Sequence, residues 1–277
     1  MNKFQKIQSW CLGFPFVWNT VNSLLADTDK KYDHQVSKDL ASDGFSISSL
    51  DQIFSGQADR ILAEIKNLYP SNRLLAGLKP HLKYWVGEES HHHDFALCSS
   101  NPLIKLAESN EIKSIVKSYI GHRCELKHVE FSRTSPIESS EQVFSQNWHR
   151  DPGIVSCVKV FLYVSDVRND NGPFSYCNST HKRGRNAGFC ENNKWYGGGY
   201  YPSVEQLGDM QAANVKETSI EGDKGSLIFA DTTGVHMGGR CIRGYRDMVT
   251  FVYYPILDPV RCRVKVSSPS KSYKVRF

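Results

Sequence analysis

Asn147-Trp148-His149-Arg150-Asp151-Pro152 is the stretch on which the reading of this chain turns. It sets an imidazole and a carboxylate two residues apart in a segment that reads as a strand. Successive strand side chains alternate faces, so His149 and Asp151 point the same way. Two such groups take neighbouring positions on a metal and need a third ligand from a distant segment. The best candidate is His236, in Gly234-Val235-His236-Met237-Gly238-Gly239. Two histidines and one carboxylate on one face of an octahedron suit ferrous iron and leave the opposite face open. A histidine and an aspartate at this spacing also occur by chance, so the segments downstream of each half decide the matter.

Around that stretch the pattern is one of strands and turns. Glu125 to Arg133 reads as a strand, then come a loop with Pro136, the His149 strand, and the apolar run Val158 to Val164. A polar turn, Asn169-Asp170-Asn171-Gly172-Pro173, leads to Phe174-Ser175-Tyr176. Gly225 to Phe229 delivers the His236 turn, and Asp247 to Tyr254 closes the sheet. Residues 183 to 216 are polar and glycine-rich, including Tyr196-Gly197-Gly198-Gly199-Tyr200-Tyr201, and read either as a lid or binding loop or as a disordered surface insertion.

Upstream, Asp43-Gly44 signals a turn into a short strand over Phe45 to Ile47. Ser55 to Tyr69 has apolar residues at helical spacing (Ala58, Ile61, Leu62, Ile65, Leu68), with Ser55 as cap and Pro70 as stop. Asn101 to Ile120 reads as two helices, Pro102 near the first start, Asn110 capping the second and Gly121 ending it. Ile112, Ile115, Val116 and Tyr119 make the buried stripe of that second helix.

A chain of 277 residues can bury a full core, and one domain over residues 41–266 is expected, with an N-terminal extension over 1–40 and a basic tail over 267–277. Thirty-four Lys plus Arg against 29 Asp plus Glu gives +5, a mixed surface rather than a basic stripe, so nucleic acid is not indicated. The eight cysteines (Cys11, Cys98, Cys124, Cys157, Cys177, Cys190, Cys241 and Cys262) form no CxxC pair and read as reduced thiols, which predicts a cytoplasmic protein. Ile7 to Ala26 is uncharged and rich in Trp, Phe, Leu and Val, but polar residues and Pro15 interrupt it. It is too polar to span a bilayer and lacks a signal peptide's compact apolar core. Two readings stand: an extension packed on the domain, or an interfacial membrane contact.

Together these motifs, in this order, resemble the phytanoyl-CoA dioxygenase family of iron(II) and 2-oxoglutarate dependent oxygenases. The matching residues are Trp148-His149-Arg150-Asp151, Val158 to Val164, Asn171-Gly172-Pro173, Ser179-Thr180-His181-Lys182, Lys224 to Phe229, His236-Met237-Gly238 and Gly244-Tyr245-Arg246. The match is strong from Trp148 to Arg246 and weaker back to Gly44. Asn178 stands where the family usually has glycine or proline, and Gly238 where it frequently has serine, which removes one hydrogen bond to the co-substrate.

The resemblance implies a mainly β, α+β architecture: a double-stranded β-helix, or jelly roll of the cupin kind, with N-terminal supporting helices. It implies iron(II) held by His149, Asp151 and His236, with 2-oxoglutarate and dioxygen as co-substrates. Arg246 would pair with the distal carboxylate of 2-oxoglutarate through its bidentate fork, with Arg240 and Arg243 as neighbouring competitors. Phe161 falls where the family sets a large ring against the co-substrate, and reads equally as a core aromatic. The implied reaction is hydroxylation, or a related oxidation, of an unactivated C–H bond in a lipid-like or secondary-metabolite small molecule, with release of succinate and CO2. Asp151 favours that outcome over halogenation, since related halogenases lack the carboxylate. The alternative is a non-catalytic jelly-roll binding protein.

Several other residues carry plainer readings. His91-His92-His93-Asp94 is a rival cluster better suited to substrate contact than to iron, and His122, His128 and His181 read as structural. Trp148 reads as packing beside the site. The 91–94 cluster, the 183–216 region and Arg133 are where specificity would be sought.

Overall fold

The computed structural model describes residues 34–66, 81–87, 101–121, 124–136, 144–153, 156–190, 194–196, 199–256, 258 and 274–276. In chain order the elements are α1 (Gln35–Ser42), β1 (Phe45–Ser49), α2 (Leu50–Phe54), α3 (Ala58–Lys66), β2 (His81–Gly87), α4 (Pro102–Ala107), α5 (Asn110–Ile120) and β3 (Cys124–Thr134). They continue with β4 (Val158–Tyr163), β5 (Phe174–Cys177), β6 (Lys194–Tyr196), β7 (Gly199–Tyr201), α6 (Val204–Ala212), β8 (Glu217–Ile220), β9 (Ser226–Asp231), β10 (His236–Gly238), β11 (Arg246–Pro255) and β12 (Lys274–Arg276).

Strands dominate the second half because β-branched and aromatic residues do. The Met248 to Tyr254 run makes β11 the hub, buried along its whole length and paired antiparallel with β3 on one side and β4 on the other. The resulting seven-stranded sheet has the order β1-β9-β4-β11-β3-β2-β12, with every pairing antiparallel. A second sheet, β10-β5-β8, lies against it. Two bridges extend that second sheet: His149 pairs with His236 on β10, and Arg150 pairs with Tyr200 on the β6–β7 hairpin.

Both faces of the large sheet are covered, which explains why β4 and β11 read as near-continuous apolar runs. Val158, Val160 and Leu162 of β4, with Val249, Phe251 and Tyr253 of β11, pack under α1 and the α4–α5 pair. The opposite face looks into the space between the sheets, where Phe161, Tyr163, Phe174, Tyr176, Ile228 and Met248 meet. This is the jelly roll expected, with helices buttressing one side.

The helices follow their local signals. Ser109, not Asn110, caps α5 by accepting from the Ile112 amide, and Gly121 ends it at φ 74°. The apolar stripe of α5 is buried as expected. The helix expected over Ser55 to Tyr69 is present as α3, but it begins at Ala58; Ser55, expected to cap it, adopts φ 37° and terminates the preceding α2 instead. α1 runs across residue 40, where the N-terminal extension was expected to end, and Leu40 is fully buried in the helix-side core. Residues 183–216 hold a 3-10 turn, the β6–β7 hairpin and α6, rather than one long loop. Gly172 of the Asn-Gly-Pro turn is left-handed at φ 72°, and a Cβ there would stand 2.2 Å from the Gly239 carbonyl oxygen, so only glycine lets this turn close on the residue after β10.

Cys124, Cys157, Cys177, Cys190 and Cys241 are free thiols. No helix among the described residues is long and apolar enough to cross a membrane. Ile7–Ala26, the 91–94 histidines, His122 and most of the 267–277 tail lie outside the described residues.

Candidate metal and co-substrate site

The Asn147–Pro152 segment is shorter as a strand than its sequence suggests: only His149 and Arg150 bridge to neighbours, and Asp151 follows in irregular backbone. Those bridges suffice to fix it. His149 and His236 exchange both main-chain hydrogen bonds at 2.9 Å, Arg150 and Tyr200 do the same at 2.8 Å, and the Asp151 amide donates to the Thr232 carbonyl at 2.8 Å. The Arg150 side chain points away from the cluster and clamps the loop, donating through Nε to the Thr233 carbonyl and through Nη1 to the Cys190 carbonyl.

His149, Asp151 and His236 converge so that one ligand atom from each lies within 4.8 Å of the others. Asp151 Oδ2 stands 3.5 Å from His236 Nε2, and the two imidazole centroids are 4.3 Å apart. Each ring is oriented by its own backbone: His149 Nδ1 lies 2.8 Å from the Asn147 carbonyl oxygen, and His236 Nδ1 lies 2.9 Å from that of Gly234. A carbonyl only accepts, so Nδ1 carries the proton in both rings and Nε2 keeps its lone pair for a metal. Burial, then the neighbouring His149, hold His236 well below the usual imidazole range, so it is neutral at pH 7. Burial pushes the Asp151 carboxyl up, but Lys159, His236 and His149 outweigh it and hold the group ionised far below the usual carboxylate range. Neutral imidazole and ionised carboxylate are the forms that bind a divalent cation.

The turn that carries His236 is braced from below by Asp231, which is fully buried. Its Oδ1 accepts from the Thr233 amide and hydroxyl at 3.0 and 2.7 Å, and its Oδ2 accepts from the Tyr119 hydroxyl of α5 at 2.7 Å. Thr180 Oγ1 accepts the Val235 amide at 2.8 Å, tying the Ser179-Thr180-His181 turn to the same segment.

Arg246 opens β11 and is 3% exposed. Its Nη2 is 3.4 Å from Thr134 Oγ1, a long hydrogen bond, while Nε and Nη1 have no acceptor among the described residues. A buried guanidinium with two unmatched donors is costly unless an anion joins it. Gly238 lies against it: a Cβ on Gly238 would be 3.3 Å from Arg246 Nη2. Of the neighbouring arginines, Arg240 is half-buried and Arg243 is exposed.

Four other residues singled out in the sequence lie around this centre rather than in it. Phe161 is buried on the face between the sheets, 4.7 Å centroid to centroid from Phe174. Trp148 packs beside Cys177, Cys190, Met210 and Val235. His181 is fully buried outside the triad, with no acceptor or donor on its ring nitrogens among the described residues. Arg133 is bound to Asp247 through two contacts of 2.6 and 2.5 Å, so its charge is committed to the sheet.

Three residues at the site were not anticipated. Tyr201 stacks on His149 at 5.9 Å and 27°, Tyr254 donates to the Pro152 carbonyl at 2.9 Å, and Lys159 Nζ stands 2.6 Å from Asp151 Oδ2. The signal for Lys159 was present, as the one cation in the apolar run Val158-Lys159-Val160-Phe161-Leu162-Tyr163.

No family model matches the chain, and no curated protein matches it in sequence. Solved structures do match it. EctD from S. alaskensis with 2-oxoglutarate and 5-hydroxyectoine superposes with a TM-score of 0.56 at 13% identity, over 84% of this chain and 80% of that one. The epimerase SnoN in complex with Fe3+, alpha-ketoglutarate and nogalamycin RO gives 0.57 at 13% identity, over 85% and 96%. AviO1 from Streptomyces viridochromogenes Tue57 gives 0.50 at 13% identity, over 80% and 94%. At this identity the likeness is one of fold, an antiparallel jelly roll with supporting helices.

Proposed function

We propose that this chain is an iron(II) and 2-oxoglutarate dependent oxygenase of the phytanoyl-CoA dioxygenase type, acting on a C–H bond of a small molecule. The observation that carries the reading is the buried Arg246 guanidinium with two unmatched donors, set between the same two sheets as the triad. The fold needs no charge there, and a binding protein with a structural metal needs none either. A dicarboxylate held at one end by a metal and at the other by Arg246 accounts for both features.

In this reading His149, Asp151 and His236 hold iron(II), and Arg246 takes the distal carboxylate of 2-oxoglutarate. When bound, iron and 2-oxoglutarate supply the oxidising power, with dioxygen consumed and succinate and CO2 released. The chain's own residues position and shield. Arg246 fixes the far end of the co-substrate through charge-assisted hydrogen bonds. The backbone carbonyls of Asn147 and Gly234 hold the two imidazoles in the ligand tautomer. Phe161, Phe174 and Met248, packed together between the sheets, would shield the inner side of the site from water. Tyr201, on the hairpin that flanks the triad, packs its ring against that of His149.

EctD and SnoN, the matched structures, hold small molecules alongside 2-oxoglutarate or alpha-ketoglutarate, which supports a small-molecule substrate here. The test is anaerobic titration of metal-free protein with iron(II) and 2-oxoglutarate. A weak visible charge-transfer band is expected, lost in His236→Ala and formed only at much higher 2-oxoglutarate in Arg246→Met. Absence of the band in folded, iron-loaded protein would overturn the reading in favour of a non-catalytic binding protein.

A further inference from the structure

Lys159 has no place in the oxygenase scheme, and the strand register puts it on the face between the two sheets. On β4 it shares a face with Phe161 and Tyr163, both of which pack between the sheets. It lies opposite Val252 of β11, which in turn lies opposite His128 of β3. The next pair along that inner row sets Thr250 against Phe161 on one side and Glu130 on the other. Packing does not require a cation here, since its strand neighbours Val158 and Val160 are satisfied as apolar residues on the other face. Yet the ammonium lies against one atom, as a close ion contact rather than an aligned hydrogen bond. Asp151 Oδ2, the oxygen that faces His236 Nε2 at 3.5 Å, is the oxygen that receives Lys159 Nζ at 2.6 Å.

An ammonium at that distance competes with a divalent metal for the charge and lone pairs of that oxygen. We propose that Lys159 is an internal competitor for the metal: its ammonium closes the empty site as an ion pair with Asp151, and a metal enters by displacing it from Oδ2. Two consequences follow from the charges. Without metal, the pair keeps the buried Asp151 carboxylate compensated and in position, so the site does not collapse when empty. With metal, the displaced ammonium stays close enough to repel the dication. Lys159 therefore sets metal affinity lower than a bare two-histidine, one-carboxylate site would have, and makes the bound metal exchangeable. It is a positioning residue, acting on the metal through Asp151. The inference rests on the triad being a metal site, but not on 2-oxoglutarate or on the reaction.

The experiment uses manganese(II) alone, so that it is independent of co-substrate and turnover. Metal-free wild type, Lys159→Met and Lys159→Arg are titrated with manganese(II), following the free ion by its electron paramagnetic resonance signal, and the thermal midpoints of the empty and loaded forms are recorded. Lys159→Met is expected to bind manganese(II) roughly tenfold tighter or more, because a nearby unit charge is removed. Its empty form should melt lower than wild type, and metal should raise its midpoint by more. Lys159→Arg, which keeps the charge, should stay close to wild type in affinity. If Lys159→Met fails to fold, Lys159→Gln removes the same charge with a polar side chain and should show the same tightening. Unchanged or weaker binding in the neutral variants, with wild type still binding metal, would overturn the competitor and leave the oxygenase reading intact. No binding by wild type or by any variant would remove the metal site, and both inferences with it.

Discussion

The two faces of the seven-stranded sheet are made by the same strands at alternate positions, yet they are built for different ends. Towards the helices β4 and β11 present Val158, Val160, Leu162, Val249, Phe251 and Tyr253, and the cluster they join is apolar throughout. Towards the second sheet the alternate positions are Lys159, Phe161 and Tyr163, then Arg246, Met248, Thr250 and Val252, with Glu130, Ser132 and Thr134 beside them on β3. The inner face of these strands thus carries Lys159, Arg246 and Glu130, whereas charged groups at outer-face positions, Arg133 with Asp247 and Asp231 with Tyr119, are paired with one another or with a helix. Burying such groups lowers stability unless they meet partners, so the outer face must supply most of the folding energy, while the inner face holds Arg246, whose Nε and Nη1 have no acceptor among the described residues. The division has testable edges.

The largest expected effect is on the outer face. Phe251→Ala empties a fully buried site under the helices and should cost about 3–5 kcal/mol in chemical denaturation. Manganese(II) affinity of the folded fraction should be unchanged, because Phe251 faces away from the triad. A matching loss of metal binding would mean that the two faces are not separable.

Arg246→Met is the inner counterpart. It should raise the 2-oxoglutarate requirement by about a hundredfold, as expected for a lost charge-assisted pair. Its denaturation midpoint should hold or rise, since an unmatched buried guanidinium is replaced by an apolar chain of similar length. A large loss of stability would instead make Arg246 structural and break the contrast between the faces.

Tyr119→Phe probes a polar link that crosses from the helices to the site. It leaves Asp231 Oδ2 without the α5 hydroxyl, at a cost of about 1–3 kcal/mol, and loosens the turn that carries His236. Metal affinity should weaken with it, which Phe251→Ala should not do.

A smaller, pH-dependent effect comes from buried thiols near the edge of the inner region. Burial pushes the Cys190 thiol up to about 11, despite the opposing charge of Arg150. The unfolded thiol titrates near 8.5, so this group's contribution is complete below that pH and is lost as pH rises from there towards 11. By pH 10 the loss is roughly 1–2 kcal/mol. Comparing wild type with Cys190→Ala at pH 7.5 and pH 10 by denaturant titration isolates it: the variant should lose less stability between the two.

Much of this was legible because its signals are short-range. The two-residue spacing of His149 and Asp151 places both groups on one side of a short segment, and the order of turns around them resembles the oxygenase pattern closely enough to anticipate the jelly roll. α5 was legible from its stripe and its glycine stop. What escaped was either long-range or overruled locally. Tyr119 and Asp231 are distant in sequence, and nothing local foretells their bond. Lys159 stands out as the one cation in an apolar run, but its partner is fixed only when β4 and the Asp151 segment are brought together. Ser55 marks a helix end rather than a start because its backbone is left-handed, which its side chain does not announce. α6 could have been found: Ser203 and Gln206 form a capping box, a signal hidden by the glycine run before it.

The finest edge of the comparison is Gly238, where the resemblance leads one to expect serine. Its backbone is not left-handed, so a side chain meets no conformational penalty there, and the question is one of space against hydrogen bonding. A Cβ would lie 3.3 Å from Arg246 Nη2, which is tight, but the guanidinium is held on that side by a single 3.4 Å contact to Thr134 and can shift by a few tenths of an ångström. Gly238→Ala should therefore leave stability almost untouched and weaken 2-oxoglutarate binding about threefold, the cost of moving one side chain off its preferred rotamer. Gly238→Ser adds the same carbon and a hydroxyl aimed at the carboxylate that Arg246 would hold. A new hydrogen bond there is worth about 0.5–1.5 kcal/mol, enough to restore wild-type binding or exceed it. If alanine and serine weaken binding equally, crowding alone governs and no carboxylate sits within reach of the hydroxyl. If neither changes binding, the co-substrate does not lie against Arg246, and the inner face holds that charge for another purpose.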